Sequence, residues 1–180
     1  MPSEAEWEYS CRGGSESAYS FGADASDLGK YAWCDENAWD IGEKYAHEVG
    51  QKRGNGFGLH DMHGNVWEWC GDYYRKDYYN NSPKRDPTGL DEGTFRVLRG
   101  GGWSFPSQFC RSANRIRFSA DFRNYYPGFR VLRVASASTS SILYEPNEQV
   151  NEPSSAETPN GFQVPDFKSA NPFDRSKPKD

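Results

Sequence analysis

The sequence has no long apolar run, and this absence excludes integral membrane proteins with helical spans. A membrane-spanning helix needs roughly 20 consecutive, mostly apolar residues, and no stretch of this chain approaches that length. Only 35% of the 180 residues are hydrophobic. We therefore expect no membrane span. No signal peptide is recognisable at the start, and the compartment is left unknown.

An excess of basic residues is missing too. The chain has 21 lysines and arginines against 26 aspartates and glutamates, which gives a net charge of −5. Proteins that bind nucleic acids through the phosphate backbone normally carry a basic surface. We therefore expect no nucleic-acid partner.

The cysteines are few and scattered, and no CxxC pair occurs. This excludes a disulfide scaffold and the usual zinc-ribbon spacing, although one or two disulfides stay possible. His60 and His63 have no further ligand at a recognisable zinc-site spacing. A phosphate-binding GxxxxGK[ST] motif and a defensible Ser/His/Asp arrangement are also missing. The four cysteines are Cys11, Cys34, Cys70 and Cys110.

Aromatic residues and glycines are abundant, at 16% and 18 residues respectively. They favour a loop-rich domain whose core consists of rings more than of aliphatic side chains. The stretch "SEAEWEYSCR" predicts one helix, with Ser3 as N-cap and Glu6 completing a capping box. Trp7 and Cys11 are four residues apart and should share its inner face.

Short strands are predicted in "NVWEWCGDYY", "FRVLRG" and "GFRVLRVA", where aromatic and β-branched residues cluster between glycines. Turn-rich stretches separate these segments. The glycines at 100–102 should let the backbone turn tightly under Trp103. The fold class predicted from these patterns is α+β, largely irregular, with short antiparallel strands.

The composition changes after Ala135. Residues 136–180 are dominated by Ser, Pro, Asn and Glu and show no helical or strand periodicity. Such a segment cannot bury enough apolar surface to offset the entropy lost on ordering. We predict an ordered domain over residues 1–135 and a disordered tail over 136–180.

Four segments together resemble the sulfatase-modifying-factor family, which includes the formylglycine-generating enzyme. They are "PSEAEWEYSCRGG", "NGFGLHDMHGNVWEWCGDYY", "RVLRGGGWSFPSQFCRSANRIRF" and "GFRVLR", in the family's order. The resemblance implies a variant of the C-type-lectin-like fold. In the family the first segment lies well inside the domain. We therefore expect this chain to hold the C-terminal portion of the domain, without its N-terminal part.

The resemblance also implies a copper(I) ion held by two cysteines five positions apart. The later position is Cys110, the candidate catalytic residue, but the earlier one is Phe105, and a serine common in the family is Gly102. Soft thiolates suit Cu(I), and phenylalanine offers no ligand atom. Copper is therefore not expected, unless Cys34 or Cys70 folds close to Cys110.

A calcium site is the second cofactor that the resemblance implies. Asp61 and Glu68 would supply side-chain oxygens, and Gly64 and Val66 backbone carbonyls, which is an oxygen set that suits Ca²⁺. The alternative is that Asp61 caps a turn and Glu68 pairs with a core arginine.

Three functions are compatible with these patterns. The chain is a non-copper family member with a ligand-binding, partner-binding or accessory role, or a formylglycine-generating oxidase, or a diversified lectin-like binding protein. Its partner would be a protein or a small molecule, with a sulfatase-type polypeptide as one candidate. The predicted ligand surface combines rings and polar groups, as interfaces do: Trp103, Phe105, Phe109, Arg111, Tyr125 and Tyr126.

Overall fold

The computed structural model describes residues 1–133, so the predicted tail at 136–180 lies outside the described residues. This part contains one α-helix, α1 (Glu4–Arg12), and four strands: β1 (Trp67–Tyr73), β2 (Phe95–Arg99), β3 (Arg115–Ser119) and β4 (Pro127–Phe129). Five short 3₁₀ helices lie between these elements: Ala25–Lys30, Asp35–Asn37, Trp39–Ile41, Tyr78–Asn80 and Ser107–Cys110. No helix among these residues is long and apolar enough to cross a membrane.

Helix α1 begins and ends where the sequence predicts. The Ser3 hydroxyl accepts a hydrogen bond from the Glu6 backbone N–H at 3.3 Å, and the Glu6 carboxylate accepts one from the Ser3 N–H at 2.8 Å. This reciprocal capping box satisfies two free donors of the first turn. Gly13 ends the helix in a left-handed conformation with φ 55°. The predicted inner face is confirmed, since Trp7 and Cys11 are both fully buried.

The four strands form one sheet in the order β3-β2-β1-β4. Strand β2 pairs antiparallel with both β1 and β3, so β1 and β3 run in the same direction. The chain keeps that direction as it crosses to the far edge, and β4 therefore pairs parallel with β1. The sheet therefore contains the predicted short antiparallel strands and, in addition, one parallel pair.

Two of the four strands differ from the prediction, one in its existence and one in its extent. Strand β3 was not predicted from "SANRIRF". In the predicted strand "GFRVLRVA", the described residues that pair are Gly128 and Phe129, which follow Pro127 in β4, while Arg130 bonds Glu68 and Val131 and Leu132 are exposed.

The core is built from two groups of buried side chains. One packs under α1, and the other packs beside the turn that ends at Cys110. All four cysteines are buried and free, so the described residues contain no disulfide. The first group is Trp7, Cys11, Met62, Cys70 and Val97, and the second is Tyr19, Leu28, Ala32, Cys34 and Cys110.

A buried ion-pair network fixes α1 on the sheet. Glu4 is 1% exposed and Arg99, on β2, is 0% exposed, with 3.3 Å between Glu4 Oε1 and Arg99 Nε. Arg115, on β3, donates two hydrogen bonds to the Glu4 carboxylate at 2.6 and 2.7 Å. Arg99 also bonds the Glu8 carboxylate. Each charge therefore has an opposite charge at hydrogen-bond distance, which buried ions require.

We predict that Glu4→Ala lowers the free energy of unfolding by about 3–5 kcal/mol, because it leaves Arg99 in the core without one of its two carboxylates. Urea unfolding measures the change. The matched control is Asp27→Ala, which breaks the Lys30–Asp27 pair, whose side chains are 55% exposed. Exposed pairs contribute less than about 1 kcal/mol. Equal losses in the two variants would contradict the prediction.

Candidate functional site

The glycine turn at 100–102 brings the Cys110 segment against the sheet. Gly100 and Gly101 have φ values of 96° and 81°, which favour glycine, and this confirms the predicted tight turn. A Cβ atom on Gly101 would lie 2.6 Å from Cys110 Sγ. The backbone of the turn and the sulfur can approach this closely only because residue 101 has no side chain.

Cys110 is fully buried at the end of the Ser107–Cys110 turn. Burial first, and then electrostatic interactions with Cys34 and Asp35, raise the pKa of the Cys110 thiol well above its ordinary value. The thiolate is the form that binds metals and attacks electrophiles. Cys110 is therefore a neutral thiol at physiological pH.

Phe105 fills the position that the resemblance assigns to a second copper-binding cysteine. It is 4% exposed, and its ring packs edge-on against Trp67, Phe109 and Tyr126 at centroid distances of 5.3, 5.9 and 5.7 Å. Edge-to-face pairs at these distances stabilise a core beyond simple burial. An apolar ring cluster thus stands where a metal ligand would be needed.

Of the two other thiols considered as partners for Cys110, only Cys34 packs in the same core group. Cys70 belongs to the group under α1. Cys34 donates a hydrogen bond from its sulfur to Glu36 Oε2 at 2.9 Å. Burial and that hydrogen bond raise the pKa of Cys34 to about 12, so this thiol also holds its proton.

The sequence did not indicate the structural role of His63 in this region. Its Nε2 lies 3.1 Å from the Ser20 backbone N–H, which can only donate, so Nε2 is the acceptor. The ring proton is therefore on Nδ1, which donates to the Cys110 carbonyl at 2.7 Å. His63 is buried and holds the backbone of Cys110, whereas His60 is exposed and bonds the Lys52 carbonyl. The two histidines do not form a common site.

Three of the predicted calcium ligands lie on the loop that leads into β1, and the fourth, Glu68, lies in β1 itself. The Asp61 carboxylate accepts a hydrogen bond from the Gly50 N–H through Oδ2, and its Oδ1 is buried without a partner within residues 1–133. Gly64 has φ 75°, and a Cβ there would lie 2.2 Å from the Trp33 carbonyl oxygen. The loop is therefore built around its glycine and leaves one carboxylate oxygen of Asp61 unsatisfied.

Glu68 takes part in the ion pair that was the alternative to calcium. Arg130 donates to both of its oxygens, at 2.6 and 2.7 Å, and Trp7 Nε1 donates to Oε2 at 2.6 Å. Within the described chain Oε1 receives one donor, so it keeps a lone pair for another partner. The calcium site stays a prediction.

The six residues of the predicted ligand surface divide by burial. Trp103 is 1% exposed and, like Phe105, belongs to the core, because Tyr125 and Tyr126 pack over it at 6.2 and 5.9 Å between ring centroids. Tyr125 is 65% exposed. The surface open to a ligand, here called the aromatic face, consists of Phe109, Arg111, Tyr125 and Tyr126.

Comparisons with known proteins agree with this geometry. Residues 1–135 match the family described as "Sulfatase-modifying factor enzyme 1-like domain". The formylglycine-generating enzyme of Streptomyces coelicolor is 38% identical over 132 residues, covering 69% of this chain and 41% of that protein. The enzyme of Thermomonospora curvata is 34% identical over 148 residues, covering 72% and 48%. The chain thus spans less than half the length of these two relatives.

Two solved structures share the fold. Treponema denticola variable protein 1 is 36% identical with a TM-score of 0.65, and the match covers 72% of this chain and 45% of that one. PvdO from Pseudomonas aeruginosa is 34% identical with a TM-score of 0.62, covering 72% and 50%. The predicted fold class, α+β and largely irregular with a C-type-lectin-like architecture, is confirmed.

We predict a pH dependence of stability that arises from His63. Burial lowers its pKa to about 4 in the folded protein, against about 6.5 when unfolded. Between these values the unfolded chain binds more protons, so stability is complete above pH 6.5 and is lost as the pH falls towards 4. The loss is on the order of 3 kcal/mol and is measured by urea unfolding across this range.

The variant His63→Gln should remove this part of the slope, while His60→Gln should keep it. Burial raises the pKa of Asp72 to about 6, which gives a slope of the opposite sign. The wild type and both variants contain Asp72, so its contribution cancels when their stability curves are compared. Parallel curves for the wild type and His63→Gln would show the prediction to be wrong.

Proposed function

The chain belongs to the sulfatase-modifying-factor family, and on that premise we propose that it is a non-copper member with a binding or accessory role. The observation that supports this most is Phe105, which packs in a ring cluster at the position of the second copper-binding cysteine. A copper ion at Cys110 would need a second soft ligand in its place.

The state of Cys110 supports the same proposal. Its thiol is fully buried and keeps its proton, whereas copper(I) binding requires thiolates. Deprotonation would create an unpaired charge in an apolar group that includes Tyr19 and Leu28. Cu(I) on this segment would need a second thiolate beside that of Cys110, and Phe105 has no thiol.

The aromatic face is the surface that we propose for binding. It combines the exposed ring of Tyr125 with the partly exposed Phe109 and Tyr126 and the cation of Arg111. Rigid rings and an arginine are the residue types enriched in interfaces. Since the relatives named above are formylglycine-generating enzymes, the first ligand to test is a cysteine-containing sulfatase-type polypeptide.

The decisive experiment is a Cu(I) titration of the full chain against a competing colorimetric chelator. We expect no stoichiometric binding by the wild type, because only one thiol occupies the position of the pair. Phe105→Cys should gain one Cu(I) per chain, and adding Cys110→Ala should remove it. Phe95→Cys, which adds a thiol on β2, is the matched control and should gain none.

The same samples are then incubated with the cysteine peptide and oxygen, and the peptide mass is measured. The proposal expects peptide binding, detected by tryptophan fluorescence and weakened by Tyr125→Ala, with no change of mass. Tight 1:1 Cu(I) binding by the wild type, or a peptide mass change lost in Cys110→Ala, would favour the oxidase instead.

We also propose a structural calcium ion at Asp61, Gly64, Val66 and Glu68. Two observations support it: the buried Asp61 Oδ1 has no partner within residues 1–133, and Glu68 Oε1 keeps an open lone pair. Carboxylate and carbonyl oxygens are the ligands that Ca²⁺ prefers. Arg130 beside Glu68 opposes the ion through its positive charge, so we expect moderate affinity.

Adding Ca²⁺ to a chelated sample should therefore raise the melting temperature, because a ligand that binds only the folded state stabilises it. Asp61→Asn should reduce this shift by removing one negative charge from the site. Asp91→Asn, a change at an exposed carboxylate elsewhere, is the control and should keep the shift. An unchanged melting temperature of the wild type would rule out the site.

A diversified lectin-like binding protein is the second candidate function. It is favoured by the similarity to a solved structure named as a variable protein of Treponema denticola. This candidate uses the same aromatic face and also needs no copper. It differs from the first candidate in that the sequence of the aromatic face would be diversified.

A further inference from the structure

Three potential metal ligands follow one another in "CDEN", beside the Cys110 turn. The side chains of Cys34, Asp35 and Glu36 each place a ligand atom within 4.8 Å of the other two. We propose that Cys34 Sγ and one carboxylate oxygen each from Asp35 and Glu36 bind a divalent transition metal of the Zn²⁺ class. This site goes beyond the proposed function and does not depend on it.

Hydrogen bonds hold the backbone of this turn in place. The Cys34 N–H donates to Asn37 Oδ1 at 2.8 Å, and Asn37 Nδ2 donates to the Ala32 carbonyl at 2.9 Å. The Asp35 N–H donates to the Phe105 carbonyl at 3.2 Å, which joins the turn to the segment before Cys110. The three ligand residues are thus positioned by the backbone before any ion arrives, which lowers the entropy cost of binding.

The distances suit replacement of the Cys34 proton by a metal. The thiol proton now lies between Cys34 Sγ and Glu36 Oε2, which are 2.9 Å apart. Tetrahedral zinc has Zn–S near 2.3 Å and Zn–O near 2.0 Å, which places sulfur and oxygen about 3.5 Å apart. Glu36 is exposed and can make this adjustment by a small rotation of its side chain.

The ligand set selects the class of ion. One thiolate with two carboxylates suits a borderline ion such as Zn²⁺. Calcium and magnesium prefer oxygen ligands alone, and Cu(I) prefers sulfur. A site with three protein ligands leaves the fourth position for water, and the exposed side of Glu36 offers the path by which the ion enters.

The charge balance around the turn also favours a cation. Within residues 1–133 no lysine or arginine forms an ion pair with Glu36, and the Cys34 thiol is buried beside it. Cys110, from a different turn, interacts electrostatically with all three residues. The thiol proton that Cys34 donates to Glu36 is the one that a divalent cation would displace.

The test is a Co²⁺ titration of the chelated full chain, followed by competition with Zn²⁺. We expect one Co²⁺ per chain, with a thiolate-to-cobalt charge-transfer band, and its displacement by Zn²⁺, which binds such sites more tightly. Binding should release one proton per ion in weakly buffered solution, because Cys34 must lose its proton.

Variants assign the ligands. Cys34→Ala should abolish both the charge-transfer band and the proton release, and Cys70→Ala, at another buried free cysteine, should keep them. Glu36→Gln, at an exposed position that does not threaten folding, should weaken Co²⁺ binding at least tenfold, whereas Glu48→Gln should not. The proposal is overturned if the wild type shows no band, if the band persists in Cys34→Ala, or if Glu36→Gln binds as the wild type does.

Discussion

The ion pair between Glu4 and the two arginines Arg99 and Arg115 is the interaction on which the rest of the structure depends. Glu4 lies in the first turn of α1, while the arginines belong to β2 and β3, so one carboxylate joins three elements. Its charge lies in the core with that of Arg99, and removal of one member takes away one partner of a buried charge. The network therefore selects a single position for α1 on the sheet.

Further buried contacts extend from that position to the site. With α1 in place, Trp7 Nε1 reaches Glu68 on β1, and Glu68 in turn holds Arg130 after β4. Cys11, one turn later on the same helix face, donates to the Met62 carbonyl, next to His63. His63 then holds the Cys110 carbonyl. Helix docking, the predicted calcium loop and the Cys110 turn are thus mechanically connected through side chains that face one another in the core.

The sequence predicts local features well, since they depend on neighbours in the chain. The capping box at Ser3, the inner face of α1 and the glycine turn before Trp103 all follow from short-range chemistry. Strand β3 was missed because its alternation, Arg-Ile-Arg-Phe, places arginines at partly buried positions. Only the distant partners make this favourable: Arg115 meets Glu4, and Arg117 lies over the ring of Tyr74. The role of His63 depends on contacts across the fold in the same way, and no local pattern indicates it.

The structure around Cys110 is stabilised by packing contacts that need no copper ion. Gly101 must lack a side chain because Cys110 Sγ packs against it, and Phe105 stabilises the same turn through its contacts with Trp67 and Tyr126. These are packing constraints, and they operate whether or not a second thiol is present. The Phe105 ring packs against Tyr126 at a centroid distance of 5.7 Å, and Tyr126 contacts the exposed Tyr125 at 4.4 Å. Under the proposed function, this ring contact holds Tyr126 and Tyr125 in place on the aromatic face, and rigidity of surface rings lowers the entropy cost of binding.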